Sequence, residues 1–332
     1  MCRTGVSTPS RGTLRLLDPA VGHGQLLLSL LREVVNASHE VRIVVCGFET
    51  DETAIEVATR KIRDEFPSVD LDLRRQDFLD FVVAQCEGGN GGMLFGSQPR
   101  EFFDLIIANP PYVRTQIMGA RLTQQLAENF NLTGRIDLYY PFILGISQVL
   151  GDCGTAGIIV SNRFMTTKSG EAVRRAISSR FNIDHVWDLG DTKLFQAAVL
   201  PAVLILRGKK TQMGHAPLFS SIYLTDTPGR DEVSDPIGAL SLAGVVKTTD
   251  GRSFRVQHGT LSARRNASEP WHIATPGGDL WLARVADKTW GTFGDVGKIR
   301  VGVKTCADDV FIRSDWRDVC GETEPDAKPR PL

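Results

Sequence analysis

The sequence predicts an α/β fold built on an open, mostly parallel sheet, and three observations carry that prediction. Through residue 206, short apolar segments alternate with segments of helical composition, the pattern of successive βα units. Residues 104–108, Asp-Leu-Ile-Ile-Ala, are apolar without alternation and stop at Asn109-Pro110-Pro111-Tyr112, so they read as a strand buried on both faces. The first apolar segment runs into a glycine loop and then a helix, the opening of a nucleotide-binding βαβ unit.

Length and composition set the bounds. At 332 residues the chain has room for two domains, or for one large domain and part of another. A formal net charge of -1 leaves no global cationic field, so any contact with nucleic acid has to come from local patches. The six cysteines, at 2, 46, 86, 153, 306 and 320, form no Cys-x-x-Cys and no Cys/His cluster with metal-ligand spacing. No metal site is therefore expected, and the expected compartment is a reduced cytoplasm. No signal peptide and no long apolar span is visible, so no membrane partner is expected.

Taken in order, residues 1–12 are small and polar without periodicity and read as a weakly ordered start. Residues 13–18 form the first strand, ending at Asp18. Pro19-Ala20-Val21-Gly22-His23-Gly24 follows, then a helix from Gln25. Gly22 and Gly24 permit close backbone approach and unusual dihedrals. Exposed N–H groups at the helix start favour a carboxylate or phosphate. The spacing Asp-x-x-x-Gly-x-Gly is neither a GxGxxG nor a Walker loop, and taken alone it also suits a plain βα turn.

Residues 41–49 form the second strand, and Glu49 at its end can accept both hydroxyls of a ribose; the plainer role is a strand end or a cap for the helix at 51–63. The third strand, 69–78, brings Asp77, suited to accept from an adenine amino group, and Phe78, suited to cover the ring; Asp is also a common helix cap. After a helix and the flexible glycine-rich loop 87–92 comes the fourth strand.

Two prolines cannot continue a sheet, so Asn109 to Tyr112 lie just past the carboxyl end of that strand. In open α/β sheets this edge is where ligands bind. The Asn109 amide and the Pro110 carbonyl can accept two hydrogen bonds from one exocyclic amino group, and Tyr112 offers a flat face to a planar ring. An amino group held in this way is a nucleophile awaiting an electrophile. A strand followed by a tight turn is the bland alternative.

Beyond this point a helix covers 137–150, a fifth strand 157–160, an amphipathic helix 169–180, a sixth strand 183–189 and a seventh 199–206. Phe195 precedes the seventh strand on what is expected to be the same edge, although a lone Phe is more often a core residue. The sheet is expected to end near Arg207, with residues 208–266 a connector. Arg264-Arg265 reads as a solvated basic spot. In residues 267–332, positions 280–284 look helical and 296–305 look like strand and turn with clustered positive charge.

The ordered set resembles the gamma-class adenine-N6 DNA methyltransferases, in the branch that fuses catalytic and recognition parts in restriction–modification enzymes. Asp18-Pro19-Ala20-Val21-Gly22-His23-Gly24 looks like that family's S-adenosyl-L-methionine loop, Gly47-Phe48-Glu49 like its ribose-binding acid, and Asp77-Phe78 like its adenosine contact. Asn109-Pro110-Pro111-Tyr112 is similar to its catalytic motif, Phe195 to its second base-stacking aromatic, and residues 301–311 to the opening of its target-recognition region.

The resemblance implies a Rossmann-like S-adenosylmethionine-dependent methyltransferase sheet of seven strands, mostly parallel, over 13–207, and a partial target-recognition domain over 267–332. It implies S-adenosyl-L-methionine as cofactor, double-stranded DNA as partner, no metal, and transfer to N6 of a flipped-out adenine between Tyr112 and Phe195. A separate specificity or nuclease subunit stays open as a further partner. Thr8-Pro9 stands only a few residues before the first strand, where the family has a Thr-Pro segment and a helix, and the recognition region is short. Truncation at both ends is therefore expected.

Two rivals share the motif. Asn-Pro-Pro-Tyr serves any planar amino group, so a methyltransferase for RNA adenine or for a protein glutamine amide satisfies it too. A non-catalytic remnant that holds DNA or a partner is the rival from another class. A nicotinamide dehydrogenase is disfavoured by the glycine spacing.

Overall fold

A computed structural model describes residues 12–37, 41–88, 101–112, 124, 130, 137–194, 200–262, 269–274, 276–291, 295 and 297. The α/β architecture is as the sequence predicts. Strand β1 (Thr13–Asp18) leads through the glycine loop to helix α1 (Gln25–Ala37). Then come β2 (Arg42–Glu49), α2 (Glu52–Glu65), β3 (Asp70–Arg75), α3 (Phe78–Gly88) and β4 (Phe103–Ala108). Helix α4 (Tyr139–Val149) precedes β5 (Leu150–Ser161). The short α5 (Arg163–Thr166) and α6 (Glu171–Arg180) lead to β6 (Asn182–Asp188) and β7 (Pro201–Arg207).

These seven strands are ordered β3-β2-β1-β4-β5-β7-β6. The pairs β2–β3, β1–β2, β1–β4 and β4–β5 are parallel, and β7 runs antiparallel to both β5 and β6. Alternation along each strand divides the core between the two faces. Leu16, Val45 and Leu105 join Leu27, Leu31, Ala58 and Ile62 of α1 and α2. Their neighbours Leu17, Cys46 and Ile106 point the other way, into a larger core with Phe78 of α3, Ile143 of α4 and Ile177 of α6. β3, at the sheet's edge, has no fully buried residue, which is why it alternates Asp and Leu where β4 does not.

The stretch expected to be a connector is part of the sheet. β8 (Leu218–Leu224), β9 (Asp231–Val233), β10 (Gly244–Thr248) and β11 (Ser253–Ser262) continue it in the order β6-β8-β11-β10-β9, and β12 (His272–Ala274) pairs with β11. The short α7 (Pro236–Ala239) helps cover a third core of Leu189, Ile222, Val246, Phe254 and Val256. The sequence hid β8 because Ser220 and Ser221 break its apolar run, yet both are buried. Ser220 lies between the rings of His185 and His258, at 2.9 Å from Nε2 of the first and 2.8 Å from Nδ1 of the second, so its hydroxyl is satisfied inside the fold.

The chain divides into two compact units, Met1–Pro276 and Gly277–Leu332. The second begins within helix α8 (Pro276–Lys288), whose Leu280, Trp281 and Val285 are exposed. Among the described residues no helix is long and apolar enough to cross a membrane.

Candidate functional site

Because β3, β2, β1 and β4 are parallel neighbours, their carboxyl ends fall on one edge of the sheet. Asp18 pairs with Gly47, Glu49 with Arg75, and Ala108 with Ile158. Asp77, Glu49, Asp18 and Asn109 therefore stand in that order along one rim.

The glycine loop is built from its own backbone. Val21 N–H donates to the Phe48 carbonyl at 3.0 Å, Gly24 N–H to Val21 at 2.9 Å, and Leu28 N–H to Gly24 at 2.9 Å. Gly22 and Gly24 both have positive φ, +52° and +79°, a region that side chains disfavour. Gly24 is also closed in, since a Cβ there would stand 3.1 Å from Ala58 Cβ. Pro19 is buried and Ala20 half-buried in the turn before it.

Glu49 grips this loop. Its Oε2 accepts Gly22 N–H at 3.0 Å, and its Oε1 accepts Thr50 N–H at 2.7 Å and Asp51 N–H at 3.0 Å. It does not cap α2; that is done by Asp51, whose Oδ1 accepts Ala54 N–H at 3.1 Å. Asp18 lies beneath, 1% exposed, with Oδ1 accepting Ala20 N–H at 3.0 Å and Oδ2 buried without a partner. Burial pushes its carboxyl up to about 7; the Ala20 hydrogen bond opposes this, and the charge of Glu49 adds to it.

Asp77 combines the two roles the sequence left open. It stands on the rim and caps α3, its Oδ1 accepting Leu79 N–H at 2.7 Å, and burial raises its pKa. Phe78 is a correction. Expected to cover a bound ring, it is 1% exposed and packs edge-on to Phe48 at 5.6 Å and against Phe142 at 5.6 Å, so its ring offers no face at the rim. The apolar start of α3 is spent on the core beneath the sheet.

After β4, Asn109 is exposed, Pro110 buried, Pro111 exposed and Tyr112 half-buried. Among the described residues nothing takes a hydrogen bond from the Asn109 amide. Burial pushes the Tyr112 hydroxyl up to about 12, which keeps the ring neutral. Phe195, Thr8-Pro9, Arg264-Arg265 and residues 301–311 lie outside the described residues. Among those that are described, no group of three or more His, Cys, Asp or Glu converges as a metal site would need.

The rim continues past Asn109 into a trio that sequence reasoning missed. Asp188, at the end of β6, accepts Asn162 Nδ2 at 2.9 Å on Oδ1 and the Tyr223 hydroxyl at 2.7 Å on Oδ2. Asn162 and Asp188 at strand ends were a visible signal. Tyr223 was not, because it belongs to β8.

The Eco57I restriction-modification methylase family matches residues 35–195. The Type II methyltransferase M.BanIII of Aneurinibacillus aneurinilyticus is 36% identical over 338 residues, covering 98% of this chain and 57% of that protein. The Type II methyltransferase M.PaeR7I of Pseudomonas aeruginosa is 27% identical, covering 95% of this chain and 54% of that one. Among solved structures, the type I restriction-modification methyltransferase subunit of Streptococcus thermophilus aligns with a TM-score of 0.45 at 20% identity, over 64% of this chain and 43% of that one. The chain spans about half the length of the curated relatives it matches.

Proposed function

We propose, from the match of residues 35–195 to the Eco57I restriction-modification methylase family, that the protein transfers a methyl group from S-adenosyl-L-methionine to N6 of an adenine turned out of double-stranded DNA. One placement carries the reading. The exposed, uncommitted Asn109 amide stands one residue past β4, on the rim that also bears the glycine loop and Glu49.

The residues fit the cofactor. Gly22 and Gly24 open the backbone to close approach. Glu49 spends part of its acceptor capacity on three N–H groups and keeps the rest for ribose hydroxyls. Asp77 caps α3 through Oδ1, so Oδ2 remains for an adenine amino group. Asp18 keeps a buried, unpaired oxygen beside the loop. The bound group supplies a methyl on a sulfonium, the electrophile of the reaction.

Asn109 Oδ1 and the Pro110 carbonyl oxygen accept the two N6 hydrogens and turn the nitrogen lone pair toward the methyl. The bound cofactor would supply the methyl, its S–CH3 bond giving way to the new N6–CH3 bond, and positive charge would grow on N6. The two fixed oxygens stabilise that charge without reorienting. The surplus N6 proton then leaves to solvent. Tyr112 gives the extruded base a stacking face and Phe195 the second, offsetting an extrusion cost of about a few kcal/mol. Target recognition is assigned to residues after 267, with a separate specificity or nuclease subunit as a partner to be sought, and the cytoplasm as the compartment.

The test is transfer of labelled methyl from S-adenosylmethionine to genomic DNA, followed by digestion to nucleosides. N6-methyladenine is expected, and Asn109→Ala should cut turnover about a hundredfold or more while cofactor affinity holds. Label in N4-methylcytosine, in RNA or in protein would overturn the substrate. Full turnover by Asn109→Ala would overturn the mechanism.

A further inference from the structure

We propose that Asp188, Tyr223 and Arg252 are positioning residues for this transfer: through them, β8 and the β10–β11 turn clamp the loop 189–194 in one conformation on the catalytic rim. The inference rests on the reading of Asn109 given above. β6 and β7 are antiparallel neighbours, yet twelve residues separate Asp188 from Pro201, where a hairpin turn of two to five residues would do. Connections in compact domains are mostly about four to six residues, so this one is long. Its described ends, Leu189 and Leu200, stand at the carboxyl edge of the sheet that also carries Asn109. Its far end is tied to the end of β5, the neighbour of β4, by Asn162 N–H donating to the Leu200 carbonyl at 2.8 Å.

The near end is held from several sides. Asp188, 8% exposed, accepts Gly190 N–H at 3.2 Å and Asn162 Nδ2 at 2.9 Å on Oδ1, and the Tyr223 hydroxyl at 2.7 Å on Oδ2. Asp191 Oδ1 accepts Leu224 N–H at 2.7 Å. Arg252 Nη1 donates to the Thr192 carbonyl at 2.8 Å, while its Nε is fixed on Asp250 at 2.7 Å. Gly190 has φ +46° and lies flush against β8, where a Cβ would stand 2.8 Å from the Tyr223 ring and collide with the Ile222 carbonyl. Thr192 is fully buried with its Oγ1 unpaired. Lys193 has φ +57°, the single positive value at a non-glycine residue among those described.

A left-handed lysine and an unpaired buried hydroxyl cost free energy, and they persist only where the surroundings dictate them. A loop that merely joins two strands has no need of such constraint. Here the constraint comes from β8 and the β10–β11 turn. Part of the added sheet β8–β11 thus serves to fix a loop on the same edge as Asn109, with β5 and β7 between them.

The experiment compares Tyr223→Phe, Arg252→Ala and Arg252→Lys with the wild-type chain by amide hydrogen exchange, cofactor titration, thermal melting and steady-state methyl transfer to DNA. Tyr223→Phe and Arg252→Ala should speed exchange at residues 189–194 and lower kcat about tenfold, with cofactor Kd held within about twofold. Arg252→Lys keeps one donor for Thr192 and should recover part of kcat. Unchanged exchange overturns the clamp. Faster exchange with unchanged kcat overturns the positioning role. A kcat loss that tracks the melting temperature, without partial recovery by Arg252→Lys, also overturns it. A wild-type chain with no transfer at all overturns the function reading, and the positioning role with it, while the exchange data still decide the clamp.

Discussion

Gly22 N–H meets Glu49 Oε2 at 3.0 Å, so the loop after β1 is fastened to the last residue of β2. The carboxylate takes three backbone N–H donors, and an amide cannot replace it without turning an NH2 toward one of them. Hydrogen bonds to a charged acceptor contribute more than neutral ones. Glu49→Gln should therefore loosen the glycine loop and weaken S-adenosylmethionine binding about tenfold or more. Calorimetric titration reads this directly, and an unchanged Kd would refute the fastening role.

Gly47 faces Asp18 in the β1–β2 register, and its missing side chain is a packing requirement. A Cβ there would stand 2.6 Å from Leu73 Cδ2 and would collide with the Val21 side chain at the mouth of the glycine loop. Gly47→Ala should cost about 1–3 kcal/mol. The denaturation midpoint measures it. Because Val21 precedes Gly22, cofactor affinity should fall as well.

Burial makes Asp18 a source of pH dependence. Its folded-state pKa, about 7, lies above the ordinary carboxyl value of 3.8, so between these limits the folded chain holds a proton that the unfolded chain has lost. More protons bound in the folded state means that stability falls as pH rises through this window, then levels above it. Asp18→Asn keeps the oxygen that accepts Ala20 N–H but cannot ionise. Melting curves at pH 5 and pH 8 should show the variant gaining on the wild type at the higher pH. Parallel behaviour of the two proteins would sink the assignment.

Arg207 and Asp184 form a largely buried pair that joins β7 to β6. Arg207 Nε and Nη2 donate to Asp184 Oδ2 at 3.0 and 2.8 Å, and the two side chains are 13% and 8% exposed. Arg207→Ala leaves a buried carboxylate whose remaining side-chain neighbour among the described residues is the His215 ring, with Nε2 at 3.2 Å. The loss should be about 3–5 kcal/mol. Replacing both residues with leucine should recover most of it. Urea denaturation of the single and double variants makes the comparison, and a double variant no better than the single one would contradict the account.

The strand and loop pattern up to Arg207 was legible because each element carries its own local signal. β4 shows an unbroken apolar run, α2 has Asp51 at its cap, and the loop before α1 has glycines where φ is positive. The placement of Asp18, Glu49, Asp77 and Asn109 on one rim followed from the rule that successive parallel strands share a carboxyl edge. Phe78 was misplaced because sequence cannot say which face of a helix start turns inward. β8 was missed because Ser220 reads as polar until His185 and His258 are folded around it.

The sequence by itself determined the order of the βα units, the polar set at the strand ends and the amino-group acceptor after β4, since periodicity, prolines and glycines act locally. Only the tertiary structure decided that Glu49 fastens Gly22, that Asp18 is buried with an unpaired oxygen, and that Asp188, Tyr223 and Arg252 converge on one loop. Each of these depends on strands far apart in the chain being brought to hydrogen-bonding distance, and burial, which sets the ionisation of Asp18, exists only once the sheet is assembled.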